Sequence, residues 1–452
     1  MEKEYKSRNR FWKGVLAGAM VTAFAGLSIV GVASGISLVG RTVIQNQNTE
    51  SVESSGGAAA AREPLDLQQV QTKLDFLEEL VGDYFLFEED INAADMEAGI
   101  YKGMLAGLGD PYTTYYTAEE YQAMTEETEG VYCGIGVQVS QRYDTGIITV
   151  LRVFKGSPAE EAGIRKGDII YKVGDLMATE QDLDTLVNQH IRGEEGTFVD
   201  MTMMRDGEEI PVHVERRMVE NETVESQLLA DKTGYVLVTQ FDSVTADQFI
   251  QHIEKLEGEG MERLVIDLRD NPGGVVDSCV EMAAYILPED QHGGTILSTS
   301  DKNSEIERYY SQDGKLHHEV SGSEDPRYPV EDGHQLDIPI AVLINDMSAS
   351  ASEVFAGALQ DYGVATLVGT TSFGKGIVQQ LLPLDDGSAV KLTIAHYYTP
   401  AGKDVHEKGL EPDVEVELEL DEDLIGQYDV PLDRDNQVQK AIEILKKEPV
   451  DQ

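Results

Sequence analysis

Residues 340–380 constrain the fold of this chain more than any other stretch. An apolar strand at 340–345 is followed by Ser348-Ala-Ser-Ala-Ser-Glu353, which opens an apolar helix, and a second apolar strand at 365–369 precedes Gly374-Lys375-Gly376. Strands that alternate with helices are typical of an α/β fold. Small residues at a strand-to-helix turn leave a serine hydroxyl accessible, and the lone lysine can serve as its base. The stretch therefore predicts a Ser/Lys hydrolase.

A second strand–loop–helix unit lies upstream and indicates a larger core. Residues 264–268 are almost entirely apolar, as in a strand buried on both faces, and a Gly273-Gly274 loop and a helix to Leu287 follow. We predict an α/β core at 218–416 that includes a hairpin around 385–387. Residues 289–338 are polar and acidic, which indicates an excursion with a hairpin. Residues 417–452 are expected to form an acidic tail with one helix over 436–446.

The N-terminus is basic and precedes a long uncharged segment. After Lys13 no charged residue follows until Arg41, and this length exceeds the roughly 20 apolar residues that a bilayer-spanning helix needs. We predict a signal-anchor over 1–41 in a single-pass protein of the cell membrane, with the N-terminus cytoplasmic and the catalytic part outside the cytoplasm. A cleaved signal peptide is the alternative. Residues 42–63 are expected to be a flexible linker.

The formal net charge of −48 restricts the classes of partner. Nucleic acid and anionic lipid headgroups repel so acidic a chain, so neither is expected as a ligand. Cys133 and Cys279 are the only cysteines, and their apolar contexts predict free, buried thiols. No Cys/His cluster has the spacing of metal ligands, and we expect neither a metal nor a cofactor.

Residues 64–129 are predicted to be helical. Apolar residues recur at steps of three and four from Leu67 to Val81, which indicates an amphipathic helix, and a second helix is expected near 96–108. The segment Gly109-Asp110-Pro111-Tyr112-Thr113 ends this second helix. Core packing and self-association are equally compatible with such a region, so a homodimer is one possible assembly.

Residues 130–217 change to short β-rich runs and resemble a PDZ domain. The resemblance is carried by Gly134-Ile135-Gly136-Val137, by Ser157-Pro158-Ala159 and by Lys166-Gly167-Asp168. Successive amides of a glycine loop converge and can bind a carboxylate, and an extended peptide can add as a strand beside the loop. We therefore expect the backbone of Gly134, Ile135 and Gly136 to bind the exposed C-terminus of a protein or peptide substrate.

Four further motifs follow in order along the chain. They are 267–274 (Asp-Leu-Arg-Asp-Asn-Pro-Gly-Gly), 348–353, 373–376 followed by Gln379, and 398–402 followed by 409–413. With the PDZ-like region, the order resembles the carboxyl-terminal processing proteases, also called tail-specific proteases. The resemblance implies a multidomain α/β protein in which a PDZ domain precedes a crotonase/Clp-protease-like catalytic core. It also implies a serine endopeptidase with Ser350 as nucleophile, Lys375 as general base and Gln379 as the residue that orients the lysine.

The expected chemistry explains these residue types. Free lysine has a pKa of about 10.4, and burial lowers it toward the range in which an amine can accept the serine proton. No acid lies among residues 364–384, where it would hold Lys375 protonated. The tetrahedral intermediate needs amide donors, and we expect them to be the amide of Ala351 and a glycine amide of Gly273 or Gly274.

Several alternatives accompany this hypothesis. Ser348 and Ser352 are expected to be structural. Asp361 lies about 16 Å along a helix from Ser350, which favours a structural role. His396 and His406 lack a recognisable acid partner for a Ser/His arrangement. The rival functions are a catalytically idle PDZ scaffold that binds protein C-termini, and an esterase or amidase on the same core.

Overall fold

The computed structural model describes residues 64–447, apart from 88, 90, 143–144, 288–293, 333–335 and 421–429. The predicted signal-anchor and linker, residues 1–63, lie outside the described residues. Within the described ranges, no helix combines the length and the apolar character that crossing a bilayer requires.

The N-terminal segment contains three helices and one short strand. They are α1 (Leu67–Tyr84), α2 (Ala93–Ala106), β1 (Thr114–Tyr116) and α3 (Ala118–Glu129). Side chains cap their first turns, as where Thr117 and Glu120 form a reciprocal capping box at α3. No residue of α1 is buried, and its apolar stripe, which includes Leu67, Val70 and Leu77, faces solvent. Core packing is therefore not the role of α1 within the described chain, and self-association stays a prediction.

The PDZ-like region forms a separate β domain. Its elements are β2 (Val131–Gly134), β3 (Val137–Gln141), β4 (Ile148–Val153), α4 (Pro158–Glu161), β5 (Ile169–Val173), β6 (Leu176–Met177), α5 (Leu183–Thr185, continued by a wider turn at Leu186–Ile191), β7 (Phe198–Arg205), β8 (Glu208–Glu215) and β9 (Arg217–Glu220). The sheet order is β3-β4-β5-β7-β8, with β6 beside β5. Strands β2 and β9 pair with each other where the chain enters and leaves the domain. The domain has its own core, centred on Ile148, Ile170 and Leu186.

A six-stranded sheet forms the centre of the predicted α/β core. In chain order its elements are β10 (Val224–Leu228), β11 (Thr233–Val238), α6 (Thr245–Gly258), β12 (Arg263–Asp267), α7 (Val276–Ile286), β18 (Ile340–Ile344), α8 (Ala351–Asp361), β19 (Ala365–Gly369) and β22 (Val414–Glu415). From β11 to β22 the neighbouring strands are parallel. Alternate residues of β12 face opposite layers: Leu264 and Ile266 pack with α6, α7 and α8, whereas Val265 packs on the other side. The α/β class is confirmed.

The helix predicted in the acidic tail is part of this core. Helix α9 (Asn436–Leu445) buries Val438 and Ala441 against Val265 and Leu343, and so covers the second face of the sheet. Its apolar residues follow the period of an amphipathic helix.

The 289–338 excursion extends a second, antiparallel sheet. It contributes β13 (Thr295–Ser300), β14 (Glu305–Gln312), β15 (Lys315–Val320), β16 (Ser323–Glu324) and β17 (Val330–Glu331). The predicted hairpin is β14–β15, and β13 joins it to β21 (Ala389–Tyr398), which also pairs with β20 (Ile377–Pro383) and with β1. Strand β21 thus links the N-terminal segment to the hairpin that follows Lys375.

Candidate active site

Two loops meet at one edge of the central sheet. Strands β12 and β18 are parallel neighbours, so the loops that follow Asp267 and Ile344 emerge side by side. The Ser348 hydroxyl donates to the Leu268 carbonyl at 2.7 Å, and the Ser352 hydroxyl donates to the Asn271 carbonyl at 2.9 Å. Both serines therefore tie the two loops together, which confirms their structural role.

Ser350 lies between these two serines in a strained backbone conformation. Its φ of 55° and ψ of −117° place a non-glycine residue in a region that L-residues rarely adopt. The conformation is held by neighbours, because the Ser350 carbonyl accepts hydrogen bonds from the Glu353 amide at 2.8 Å and the Tyr397 hydroxyl at 3.2 Å. Strain at a strand-to-helix turn is the arrangement that presents a nucleophilic serine in many hydrolases.

The buried carboxylate of Glu353 joins the serine turn to the lysine loop. Its Oε2 accepts the amide of Ser350 at 2.9 Å and the amide of Lys375 at 2.8 Å. Its Oε1 accepts the amide of Gly374 at 2.8 Å and the hydroxyl of Ser372 at 2.5 Å. Since one oxygen bonds both amides, the fold brings the backbones of Ser350 and Lys375 together.

Lys375 has the environment of a neutral amine. It is 6% exposed, and its pKa falls to about 7 because burial disfavours the ammonium and because the charge of Lys391 repels it. Glu353 and Asp110 oppose this shift. The expectation that no acid lies near Lys375 holds along the sequence but is wrong in three dimensions, because α8 and the 110–113 turn each bring a carboxylate. The lowering of the Lys375 pKa by burial is larger than the rise that the two carboxylates cause.

Gln379 lies at a bulge of β20, opposite Thr393 of β21. Its Nε2 donates to the Thr393 hydroxyl at 3.2 Å, and its buried Oε1 has no hydrogen-bond partner among the residues that the structure describes. The orienting role of Gln379 toward Lys375 stays a prediction.

The glycine loop after β12 approaches the serine turn closely. An ideal Cβ on Gly273 would lie 2.8 Å from both the Ser350 Cβ and the Ala351 amide nitrogen, so only glycine fits there. The Gly273 amide, however, donates to the Asn271 side chain at 2.9 Å. That amide is therefore engaged, contrary to its predicted role as an oxyanion donor. Within the described chain the amides of Gly274 and Ala351 have no such protein acceptor, and they are the remaining pair.

A buried ionic network holds this loop in place. Arg269 contacts Asp267 at 2.5 Å and reaches Asp435, the cap of α9, at 2.9 Å. The Tyr235 hydroxyl donates to Asp267 at 2.7 Å. The C-terminal helix therefore fixes the loop that carries Gly273.

The predicted C-terminus site of the PDZ-like domain is a formed pocket. Gly134, Ile135 and Gly136 line a cavity of about 60 Å³ together with Val187 and Ile191. Gly136 has a φ of 78°, and a Cβ there would lie 2.4 Å from Ser157. A larger cleft of about 860 Å³ begins beside this pocket and extends to Asp270 and Pro272 of the catalytic core. The pocket and the loop at Asp270 and Pro272 thus open onto one cleft.

The other candidate residues have separate roles. Asp361 bonds the Ala401 amide at 2.9 Å and pairs with Lys403 at 2.6 Å, as its structural assignment predicts. His396 lies half-exposed with its Nδ1 3.9 Å from Asp404. Cys133 and Cys279 are free thiols, and Cys279 is buried as predicted. The prediction is wrong for Cys133, which is only partly buried because its strand β2 pairs with β9 at the edge of the domain. Desolvation raises the pKa of both thiols.

Sequence reasoning missed four residues around the candidate base: Glu353, Asp110, Tyr112 and Lys391. A signal existed for Glu353, since Ser350-x-x-Glu353 is a capping-box pattern, and for Lys391, a single lysine between the apolar residues Val390 and Leu392. Asp110 and Tyr112 had no such signal, because they lie more than 250 residues from Lys375 along the chain.

Comparisons with known proteins identify the family of this chain. A family model described as Peptidase family S41 matches residues 232–416, and a PDZ domain model matches residues 133–215. The carboxy-terminal processing protease CtpB of Bacillus subtilis (strain 168) is 31% identical over 407 residues, which cover 89% of this chain and 76% of that protein. A probable CtpA-like serine protease of Staphylococcus aureus (strain MRSA252) is 34% identical over 326 residues, which cover 72% of this chain and 61% of that protein. Among solved structures, a photosystem II D1 C-terminal processing protease is 28% identical, covers 75% of this chain and 86% of that chain, and has a TM-score of 0.42.

Proposed function

Because the chain belongs to the carboxy-terminal processing proteases of peptidase family S41 and carries a PDZ domain, we propose that it is a Ser350/Lys375 endopeptidase that selects substrates by their C-termini. The observation that carries the proposal is the Glu353 carboxylate, which bonds the amides of both residues. By bonding both amides, this carboxylate fixes the backbone of the strained serine relative to that of the buried lysine. Such fixing is needed if the two side chains act together as nucleophile and base.

The reaction proceeds in two halves. The neutral amine of Lys375 takes the proton of the Ser350 hydroxyl while the oxygen attacks the peptide carbonyl carbon. The amides of Gly274 and Ala351 hold the oxyanion. The Lys375 ammonium then protonates the leaving amine as the C–N bond breaks, which leaves an ester on Ser350. Water hydrolyses this acyl-enzyme by the same proton transfers, and the serine is regenerated.

Gln379 has a defined part in this scheme. Its orphaned Oε1 accepts a hydrogen bond from the Lys375 ammonium that forms during attack, so the residue stabilises the charged lysine only when it is needed. This differs from a fixed orienting bond in the resting enzyme.

The PDZ domain supplies substrate selection. A substrate's C-terminal carboxylate binds the backbone of Gly134, Ile135 and Gly136, its last side chain enters the adjoining apolar pocket, and the upstream peptide follows the shared cleft toward Pro272. The uncharged segment between Lys13 and Arg41 anchors the enzyme in the cell membrane, with the catalytic part outside the cytoplasm.

A serine-directed phosphonate probe tests the catalytic proposal. The wild-type chain is expected to be labelled at Ser350 and to cleave an unfolded protein that has an apolar C-terminus. Ser350→Ala is expected to lose both, whereas Ser352→Ala, a neighbouring serine with a structural hydroxyl, keeps the label. Full cleavage by Ser350→Ala would refute the proposal. Peptide binding by the wild type without turnover would instead favour the idle scaffold.

A further inference from the structure

The turn at residues 110–113, which follows α2, is held against strand β21. Asp110 accepts the Tyr112 amide at 3.0 Å and the Thr113 hydroxyl at 2.6 Å. The amide of Thr393 donates to the same Thr113 hydroxyl at 3.1 Å, and β1 continues the contact along β21. The turn is thus fixed by its own carboxylate and by the neighbouring strand.

Tyr112 projects from this turn over the candidate base. The Lys375 Nζ lies 4.7 Å from the centre of the Tyr112 ring. The ring is half-buried and the lysine is buried, so the ring forms part of the wall between the amine and solvent. The face of an aromatic ring attracts an ammonium group, and its bulk displaces water.

The same turn is linked through Thr393 to the side-chain amide of Gln379. The Thr393 side chain helps to lower the pKa of Asp110, and its hydroxyl accepts a hydrogen bond from Gln379 Nε2 at 3.2 Å. The turn, Thr393 and Gln379 therefore form one chain of contacts that begins beside Lys375 at Tyr112.

We propose that Tyr112 is a positioning residue for Lys375: its ring excludes water from the amine and holds it at the serine, while Asp110 holds the ring in place. The inference rests on the proposed Ser350/Lys375 mechanism. It makes the N-terminal segment, which precedes the PDZ domain in the chain, a part of the catalytic apparatus.

The charges around Lys375 explain why the ring matters. Glu353 of α8 and Asp110 of the turn favour the ammonium, whereas Lys391 of β21 opposes it. Burial is the largest influence on the lysine pKa, and it outweighs the two carboxylates. Removing the ring takes away the attraction between its face and the ammonium, which lowers the pKa, but it also admits water, which raises the pKa. The proposal requires the exclusion of water to be the larger of the two effects.

The test measures the rate of phosphonate labelling of the full chain from about pH 6 to about pH 10, which brackets the lysine range. The variants are Tyr112→Phe, Tyr112→Leu and the matched control Tyr121→Leu, which removes another half-buried tyrosine of the same segment. Thermal unfolding of each variant is recorded in parallel. If Tyr112→Leu does not fold, Tyr112→Met takes its place.

Tyr112→Leu is expected to raise the pH midpoint by about one unit, which lowers labelling at neutral pH about fivefold and restores it near pH 9. Tyr112→Phe and Tyr121→Leu are expected to keep the wild-type midpoint. A wild-type midpoint in Tyr112→Leu would overturn the inference, whether or not the overall rate falls, and so would a raised midpoint in Tyr112→Phe. Absence of Ser350 labelling in the wild type would instead refute the proposed function.

Discussion

Two buried lysines on neighbouring elements, Lys375 and Lys391, show what makes one of them a base. Both are almost inaccessible, at 6% and 2% exposure, and burial lowers the pKa of each, to about 7 for Lys375 and about 8 for Lys391. Lys375 lies in a glycine loop, and its backbone amide donates a hydrogen bond to the Glu353 carboxylate. The same carboxylate accepts the backbone amide of Ser350. Lys391 lies in β21 with its Nζ 5.5 Å from the Tyr116 ring. Burial therefore adjusts both amines, and the connection to Ser350 selects Lys375.

The largest expected effect separates the two lysines by activity. Lys375→Met removes the base and is expected to lower Ser350 labelling by about 10³-fold, within the usual range for loss of general-base catalysis. Lys391→Met keeps the base and is expected to retain labelling at alkaline pH. Labelling rates of the two variants at about pH 9 check this difference. Equal losses of labelling rate in both variants would contradict the assignment of Lys375, rather than Lys391, as the base.

The Glu353 carboxylate is the next test, because it makes the connection that Lys391 lacks. Glu353→Gln keeps the shape of the side chain but replaces one carboxylate oxygen by an NH₂ group. The backbone amides that this oxygen accepted then lose their acceptor, which costs about 1–3 kcal/mol of stability. We expect labelling to fall about 10-fold to 100-fold with the PDZ pocket intact. Asp361→Asn, which changes a carboxylate at the far end of the same helix, is the control. Binding of a peptide with an apolar C-terminus checks that the PDZ domain is unaffected.

A smaller effect concerns the charge that one lysine exerts on the other. The Lys391 ammonium lowers the pKa of Lys375, so Lys391→Met should raise it. A larger fraction of Lys375 is then protonated at neutral pH, and the midpoint of the labelling profile moves to higher pH. Lys391→Arg preserves the charge and serves as the control. A midpoint that moves downward in Lys391→Met would contradict the sign of this interaction.

The smallest expected effect is on stability. Each lysine has a lower pKa when folded than when unfolded, so between about pH 7 and about pH 10 the unfolded chain binds more protons and stability rises with pH. Below this pH window both lysines are protonated in the folded chain, so the full free-energy cost of burying two ammonium groups lowers its stability. Lys391→Met should therefore raise the midpoint of thermal unfolding by a few degrees at about pH 6, and the gain should vanish near pH 10. Lys391→Arg should show no such gain.

The sequence predicted the local features of this protein better than its long-range contacts. The family, the α/β class and the PDZ domain are confirmed. They could be predicted because each is encoded in contiguous motifs such as 267–274 and 348–353. The capping role of Glu353 was visible in Ser-x-x-Glu spacing, yet its bond to the Lys375 amide depends on how two loops meet. The engaged Gly273 amide likewise depends on a side chain, Asn271, whose direction no pattern reports.

The contacts of Tyr112 and of α9 were not accessible from sequence for a related reason. A turn motif such as Asp110-Pro111-Tyr112 specifies its own conformation but not the surface on which it lies. The apolar face of α9 specifies burial but not the strands that it covers. Both contacts join distant parts of the chain, and both contribute to the site.

The pH dependence of Ser350 acylation in the wild-type chain tests the central claim most directly. If Lys375 is the base, the labelling rate should rise with pH and level off with a midpoint near 7, the value that burial and Lys391 impose. A midpoint near that of free lysine, about 10.4, would show that the amine is not poised as a base at neutral pH and would contradict the account.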